Sequence, residues 1–146
     1  MKLQTNLFLF TNKRSFEKEV QLDKISETKY RILEYGEFRP ILHGGKIIEN
    51  AIAEILIKHV PEQISSITKI TIWRKSTNET WDNYSELKLK NHLDLVSFKN
   101  ANSDGLKIYQ LFYDSLYISS DLKDKIISEY QSVNSINFIN KWPTHA

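Results

Sequence analysis

The alternation of apolar and polar positions is clearest in the middle of the chain. From Ile67 to Trp73, Ile70 and Ile72 fall on one side while Lys69, Thr71 and Trp73 fall on the other, the signature of a half-buried strand. Ser76-Thr77-Asn78 is a turn cluster. Trp81 to Leu89 predicts the returning strand, with Leu87 and Leu89 opposing Lys88 and Lys90. Leu93 to Phe98 continues it or begins another. Leu106 to Tyr113 predicts a further strand after the Asp104-Gly105 turn signal, and Tyr117-Ile118 a short extension. Ser135 to Ile139 predicts a last strand, with Ile136 and Phe138 on one side. Upstream, the run Leu7 to Phe10 predicts a first strand. Tyr30 to Tyr35 predicts another from its aromatic and branched content, and Pro40 ends or edges any strand there.

A different period governs two other segments. Ile47, Ile48, Ala51, Ile52, Ile55 and Leu56 recur at helical spacing, predicting a helix over 46–59 that Pro61 stops and the Gly44-Gly45 pair leads into. Leu122, Ile126, Ile127 and Tyr130 predict a second buried stripe, on a helix capped by Ser119, Ser120 or Asp121. Residues 11–28 are polar, with isolated apolar positions at Phe16, Val20, Leu22 and Ile25, and fit a short helix or a long loop. The order of elements predicts an α+β fold: a mostly antiparallel sheet with two main helices packed on it.

Composition adds bounds. A chain of 146 residues is the length of one domain, so 1–146 is expected to fold as a single unit. There is no cysteine, which excludes disulfides and thiolate metal sites. The apolar run near the N-terminus is four residues long and meets Asn12-Lys13-Arg14 at once, whereas a secretory signal needs about 7–15 apolar residues. No stretch reaches the ~20 apolar residues of a membrane span. A cytoplasmic location without membrane association is the expectation. Net charge is +2 and spread out, with only Arg14, Arg31, Arg39 and Arg74 as arginines. The clustered cations of a phosphate-binding face are missing, so nucleic acid is not an expected partner.

No group of residues announces a reaction. His43, His59, His92 and His145 show no pairing at metal-ligand spacing, and His59 is better explained by the dipole at a helix C-terminus. His43-Gly44-Gly45-Lys46 lacks the first glycine and the closing Ser/Thr of a phosphate loop, so a glycine hinge outweighs an anion site. Nothing in the spacing brings any two of Asp82, Asp94, Asp104 and Asp114 together as an acid–base pair. No catalytic, cofactor-binding or metal-binding residue is therefore assigned. The aromatics are more informative. Trp73, Trp81 and Tyr84 surround one predicted hairpin, and Tyr109, Phe112, Tyr113 and Tyr117 the next. Most such rings belong to a core, but exposed Trp and Tyr anchor protein interfaces. Stacking on single-stranded nucleic acid is disfavoured because no arginines interleave with them.

The C-terminal segment runs Tyr84-x-x-Leu87-x-Leu89, His92-Leu93-Asp94-x-x-Ser97, a hairpin, Tyr117-Ile118-Ser119-x-x-Leu122-Lys123, and Ile136-x-Phe138. It resembles the C-terminal half of immunity proteins from bacterial polymorphic toxin systems. In that family a Tyr-led strand runs into a Leu-Asp turn with a nearby Ser, then a hairpin, a Ser-x-x-Leu-Lys helix opening and a closing strand. The helix over 46–59 falls where the family also has one. Ser135 stands where the family's closing glycine is expected, and residues 1–40 have no counterpart. The resemblance implies a protein that binds a cognate toxin and neutralises it by steric occlusion, with no catalysis and no cofactor. Independently of the resemblance, exposure and chemistry nominate Trp73, Trp81, Asp82 and Tyr84 as the partner-binding residues. Two other functions fit the same residues: a small hydrolytic or nucleotide-linked enzyme assembled from dispersed groups, and a phage or mobile-element accessory protein that binds a host protein. Neither the oligomeric state nor the toxin is legible in the sequence.

Overall fold

A computed structural model describes residues 6–112 and 114–140. Tyr113 and His145, named above, lie outside them. The two long alternating stretches pair as expected, forming a hairpin of β6 (Ile64–Arg74) and β7 (Glu79–Leu89). It forms the centre of a six-stranded sheet in the order β2 (Gln21–Ser26), β3 (Lys29–Glu34), β6, β7, β5 (Ile47–Glu49), β4 (Ile41–Leu42). A second sheet of five strands has the order β11 (Ile136–Ile139), β1 (Leu7–Asn12), β10 (Ser115–Ser119), β9 (Ile108–Leu111), β8 (His92–Leu93). Three short helices complete the fold: α1 (Asn50–His59), α2 (Leu95–Lys99) and α3 (Ser120–Glu129). The molecule is therefore mixed α and β, as expected, but it has two sheets in place of one. Most pairings are antiparallel, yet β3–β6 and β8–β9 are parallel. Among the described residues no helix is long and apolar enough to cross a membrane.

The largest core lies where the helices meet both sheets. Ile52, Ile55 and Leu56 of α1 and Leu122 and Ile126 of α3 pack with Leu87 and Leu89 of β7 and with Leu116 and Ile118 of β10. Burying one such side chain contributes about 1.5–3 kcal/mol. Strand alternation sends the intervening residues to two smaller cores. Tyr84, Ile70, Ile72 and Tyr30 gather on the other face of the six-stranded sheet. Tyr117, Leu7, Leu111 and Phe98 gather beneath α2.

Several expectations change. The helix predicted over 46–59 begins only at Asn50, because Ile47–Glu49 is a strand between β4 and β7. Ile47 and Ile48 are both fully buried, in different cores on opposite faces of the sheet, which one helical stripe cannot do. Gly44 and Gly45, at φ 65° and 103°, turn the chain from β4 into β5 and do not lead into a helix. Ala53, not Ala51, completes the α1 stripe, and Ile127 is 45% exposed on α3. The strand expected over 93–98 ends at Leu93. Asp94 caps α2, its carboxylate accepting the Ser97 N–H at 2.8 Å while the Ser97 hydroxyl accepts the Asp94 N–H at 3.0 Å, a reciprocal capping box. Residues 11–28 form no helix, and supply the end of β1, an ordered loop and β2.

Candidate partner-binding surface

The four nominated residues do not form one surface. The register of the β6–β7 hairpin pairs Ile70 with Tyr84 and Ile72 with Trp81. Two steps on β6 thus span three on β7, a bulge that changes the parity of the strand. Trp81 and Tyr84, three residues apart, consequently share the face that carries Ile70 and Ile72. Trp73 and Asp82 occupy the opposite face, where the Thr71 hydroxyl donates to Asp82 Oδ1 at 2.7 Å. There Lys29 Nζ lies 4.6 Å from the centre of the Trp73 ring, and the indole N–H donates to Asn78 Oδ1 at 2.9 Å.

Tyr84 is a correction. Its ring is 2% exposed, within the core of Ile70, Ile72 and Leu42, and its hydroxyl donates to the Arg39 carbonyl at 2.9 Å. Burial pushes its pKa upward. It supports the surface from beneath and offers a partner no contact.

Trp81 is half-buried and belongs to a cluster that the sequence did not reveal. Phe38 stacks on it with centroids 4.6 Å apart, and Tyr35 packs on both rings at 6.2 and 6.4 Å. The Arg74 guanidinium lies 3.9 Å from the Tyr35 ring centre, a cation–π geometry. Tyr35 remains 51% exposed. The parallel pairing of β3 with β6 sets Arg31 beside Trp73, and this carries the following residues of β3 towards the hairpin turn, where Tyr35 meets Arg74.

Phe38 also lines a cleft of about 620 Å³, between the end of β1, residues 37–40 and the turn after α3. Lys13, Arg14, Arg39, Gln131 and Ser132 contribute to its walls. Arg39 is the organiser of one wall. Its Nε donates to Glu37 Oε1 at 2.8 Å, Nη1 is 3.6 Å from Glu19 Oε1, and Nη2 donates to the Glu17 carbonyl. The Arg39 bond, with a lesser one from the Ser15 hydroxyl, holds the Glu37 carboxyl below its ordinary range.

The residues weighed for chemistry have structural partners. His59 Nε2 is 2.6 Å from Glu129 Oε2, which ties the end of α1 to α3. His43 has φ 51°, its N–H donates to Glu19 Oε2 at 3.2 Å, and burial lowers its ring pKa. Among the described residues no group of three or more His, Asp or Glu is placed to hold a metal ion. Tyr35, Phe38 and Arg39 were missed because each acts through a partner distant in sequence. The signal available was weak: two aromatics and an arginine within Tyr35-Gly36-Glu37-Phe38-Arg39-Pro40. No protein-family model matches the chain, and neither does a curated protein or a solved structure.

Proposed function

We propose that this protein is an immunity protein, which binds a cognate bacterial toxin domain in the cytoplasm and blocks it by steric occlusion, using no catalysis and no cofactor. The observation that carries the reading is the half-exposed Tyr35 under Arg74, backed by Phe38 and Trp81. Trp, Tyr and Arg are the residues that dominate interface energies. Rings already packed against each other lose little freedom when a partner covers them. The C-terminal resemblance supplies the class of partner. The contact residues within this reading are Trp81, Tyr35 and Arg74. Trp73 and Asp82 belong to the other face, and Tyr84 acts from below.

The test is affinity purification of the tagged protein from its native cells, read by mass spectrometry. Recovery of a secreted protein through its C-terminal toxin domain is the expected result. With that domain purified, Trp81→Ala and Tyr35→Ala should each weaken binding by more than ~2 kcal/mol, about thirtyfold. Recovery of a housekeeping host protein would replace the toxin reading with that of an accessory binder. A blank would sink both and return attention to catalysis.

A further inference from the structure

Tyr35 and Phe38 lie on a stretch with no ladder of its own, because β3 ends at Glu34 and β4 begins at Ile41. Such connections are ordinarily mobile, yet this one carries the two rings that pack on Trp81. The segment just before β2 supplies the missing partner. Glu19 and Glu37 form a one-residue parallel bridge. In it the Glu37 N–H donates to the Lys18 carbonyl at 2.7 Å, and the Val20 N–H to the Glu37 carbonyl at 3.0 Å. Gly36 makes the approach possible. A Cβ there would stand 2.5 Å from the Lys18 carbonyl oxygen and 2.9 Å from the Val20 nitrogen, so any other residue would force the two backbones apart.

The strap over residues 15–20 is itself tied down at both ends and in the middle. Val20 is fully buried among Tyr30, Ile70 and Tyr84. Ahead of the strap, the Lys13 N–H donates to the Ser135 carbonyl at 2.9 Å. In the middle, the Ser15 hydroxyl accepts the Glu17 N–H and donates to Glu37 Oε2, each at 3.1 Å. The Arg39 guanidinium reaches Glu37, Glu19 and the Glu17 carbonyl, while the Tyr84 hydroxyl holds the Arg39 carbonyl from beneath. The residues on both sides of Phe38 are thus fixed by groups that lie behind the rings. We propose that Gly36 and Arg39 are positioning residues for the aromatic face: through the strap they set Tyr35 and Phe38 against Trp81 before any partner arrives. The use of this brace in recognition rests on the binding reading above. The packing of the rings does not, and experiment separates the two.

The test reads the rings directly, by nuclear magnetic resonance of the full chain without a partner. A ring stacked at 4.6 Å displaces the ring-proton signals of Trp81, and Phe38→Ala defines their unstacked positions. Gly36→Ala wedges the strap away, and Arg39→Met removes its polar hub while keeping the stem. Each should move the Trp81 signals towards their positions in Phe38→Ala. The Trp73 indole N–H, bonded to Asn78 on the other side of the same hairpin, should stay in place, which separates a loosened face from a lost fold. In the unaltered protein the Glu37 and Val20 amides should exchange with solvent as slowly as those of the β6–β7 hairpin, an arm that stands even where Gly36→Ala fails to fold. With the toxin domain purified as above, Gly36→Ala should weaken binding about fivefold or more, because two rings must then be ordered on contact. Unmoved Trp81 signals in both variants, or rapid exchange at Glu37, would overturn the inference and leave the binding reading standing. Joint movement of Trp73 and Trp81 would also overturn it, since the strap would then support the whole fold and not this face. Moved Trp81 signals with unchanged affinity would overturn the use of the brace in binding and remove these rings from the contact residues.

Discussion

Ser119 joins β9, β10 and α3 through one hydroxyl, and its removal has a calculable effect. The side chain is 0% exposed. It donates to the Gly105 carbonyl at 2.7 Å, and accepts the Lys107 N–H at 2.9 Å and the Leu122 N–H at 3.4 Å. Ser119→Ala deletes all three bonds while nearly conserving volume. Gly105 is exposed, so its carbonyl can turn to water and contributes little to the loss. The Lys107 N–H points into the buried site, and an unmet group there costs about 1–3 kcal/mol. The Leu122 bond is long and weak, but losing the helix cap adds about 1 kcal/mol. We expect a loss of about 2–3 kcal/mol, and a melting temperature about 4–12 °C lower for a chain of this size. Ser120→Ala is the control: Ser120 begins α3, has no side-chain hydrogen bond among the described residues, and should cost less than about 0.5 kcal/mol. Urea denaturation followed by circular dichroism measures both. A loss below about 1 kcal/mol for Ser119→Ala, or equal losses for the two variants, would refute the assignment of the cap and the bridge to Ser119.

Further outcomes are expected at four positions. In Gly44→Ala the new Cβ would fall 2.3 Å from the Asp114 carbonyl oxygen at a backbone φ of 65°, so thermal unfolding should show severe destabilisation. Gly105→Ala, with φ 72° and nothing within 4 Å, should cost only the left-handed penalty of about 1–2 kcal/mol. Tyr84→Phe removes the bond to Arg39 and should cost about 1 kcal/mol without changing partner affinity, whereas Tyr84→Ala should cost about 3–5 kcal/mol by emptying a core position; an affinity loss in the phenylalanine variant would return Tyr84 to the interface. Hydrogen bonds from His59, then Lys58, hold the Glu129 carboxyl below its ordinary value of 4.5. Its contribution is therefore fully present above that value and lost as pH falls through the lowered one. The urea midpoints of wild type and Glu129→Gln should converge as the medium is acidified below 4.5, and parallel curves would contradict the pairing.

What the chain reveals about itself depends on how local the signal is. The β6–β7 hairpin and the start of α3 were legible because alternation and capping act within a few residues. Ile47 and Ile48 misled because adjacent isoleucines fit a helical stripe and also a strand buried on both faces; only the neighbours β4 and β7 decide. The burial of Tyr84 was hidden differently: counting by twos from Leu87 and Leu89 puts it on the opposite face, but says nothing of the second core that covers that face, nor of the bulge before Tyr84 that turns Trp81 to the same face and leaves Asp82 on the other. Tyr35 and Arg74 are 39 positions apart in the sequence, and only the parallel partnership of β3 and β6 brings them into contact. Phe16 was visible as an isolated apolar residue, but nothing in the sequence says that Arg39 and Glu37 brace the loop around it.

Because Trp73 and Trp81 flank one turn but face opposite ways, a rigid partner docking on the hairpin must cover one side or the other. The Trp73 side is already engaged with itself. Lys29 covers the indole, Thr71 binds Asp82, and Arg31 pairs with Asp23 at 3.1 Å. A partner there would have to desolvate an ion pair and a satisfied hydrogen bond while gaining little apolar area, and such exchanges at best break even. The Trp81 side presents the reverse balance. Its rings satisfy one another by packing, Tyr35 keeps half its surface in water, and Phe38 opens onto the adjoining cleft. Covering it would remove apolar surface from water without breaking an ion pair of the Trp81 cluster. Of the two sides of the hairpin, the side of Trp81 is the one where a docking partner would remove more aromatic surface from water for each polar contact it disturbs.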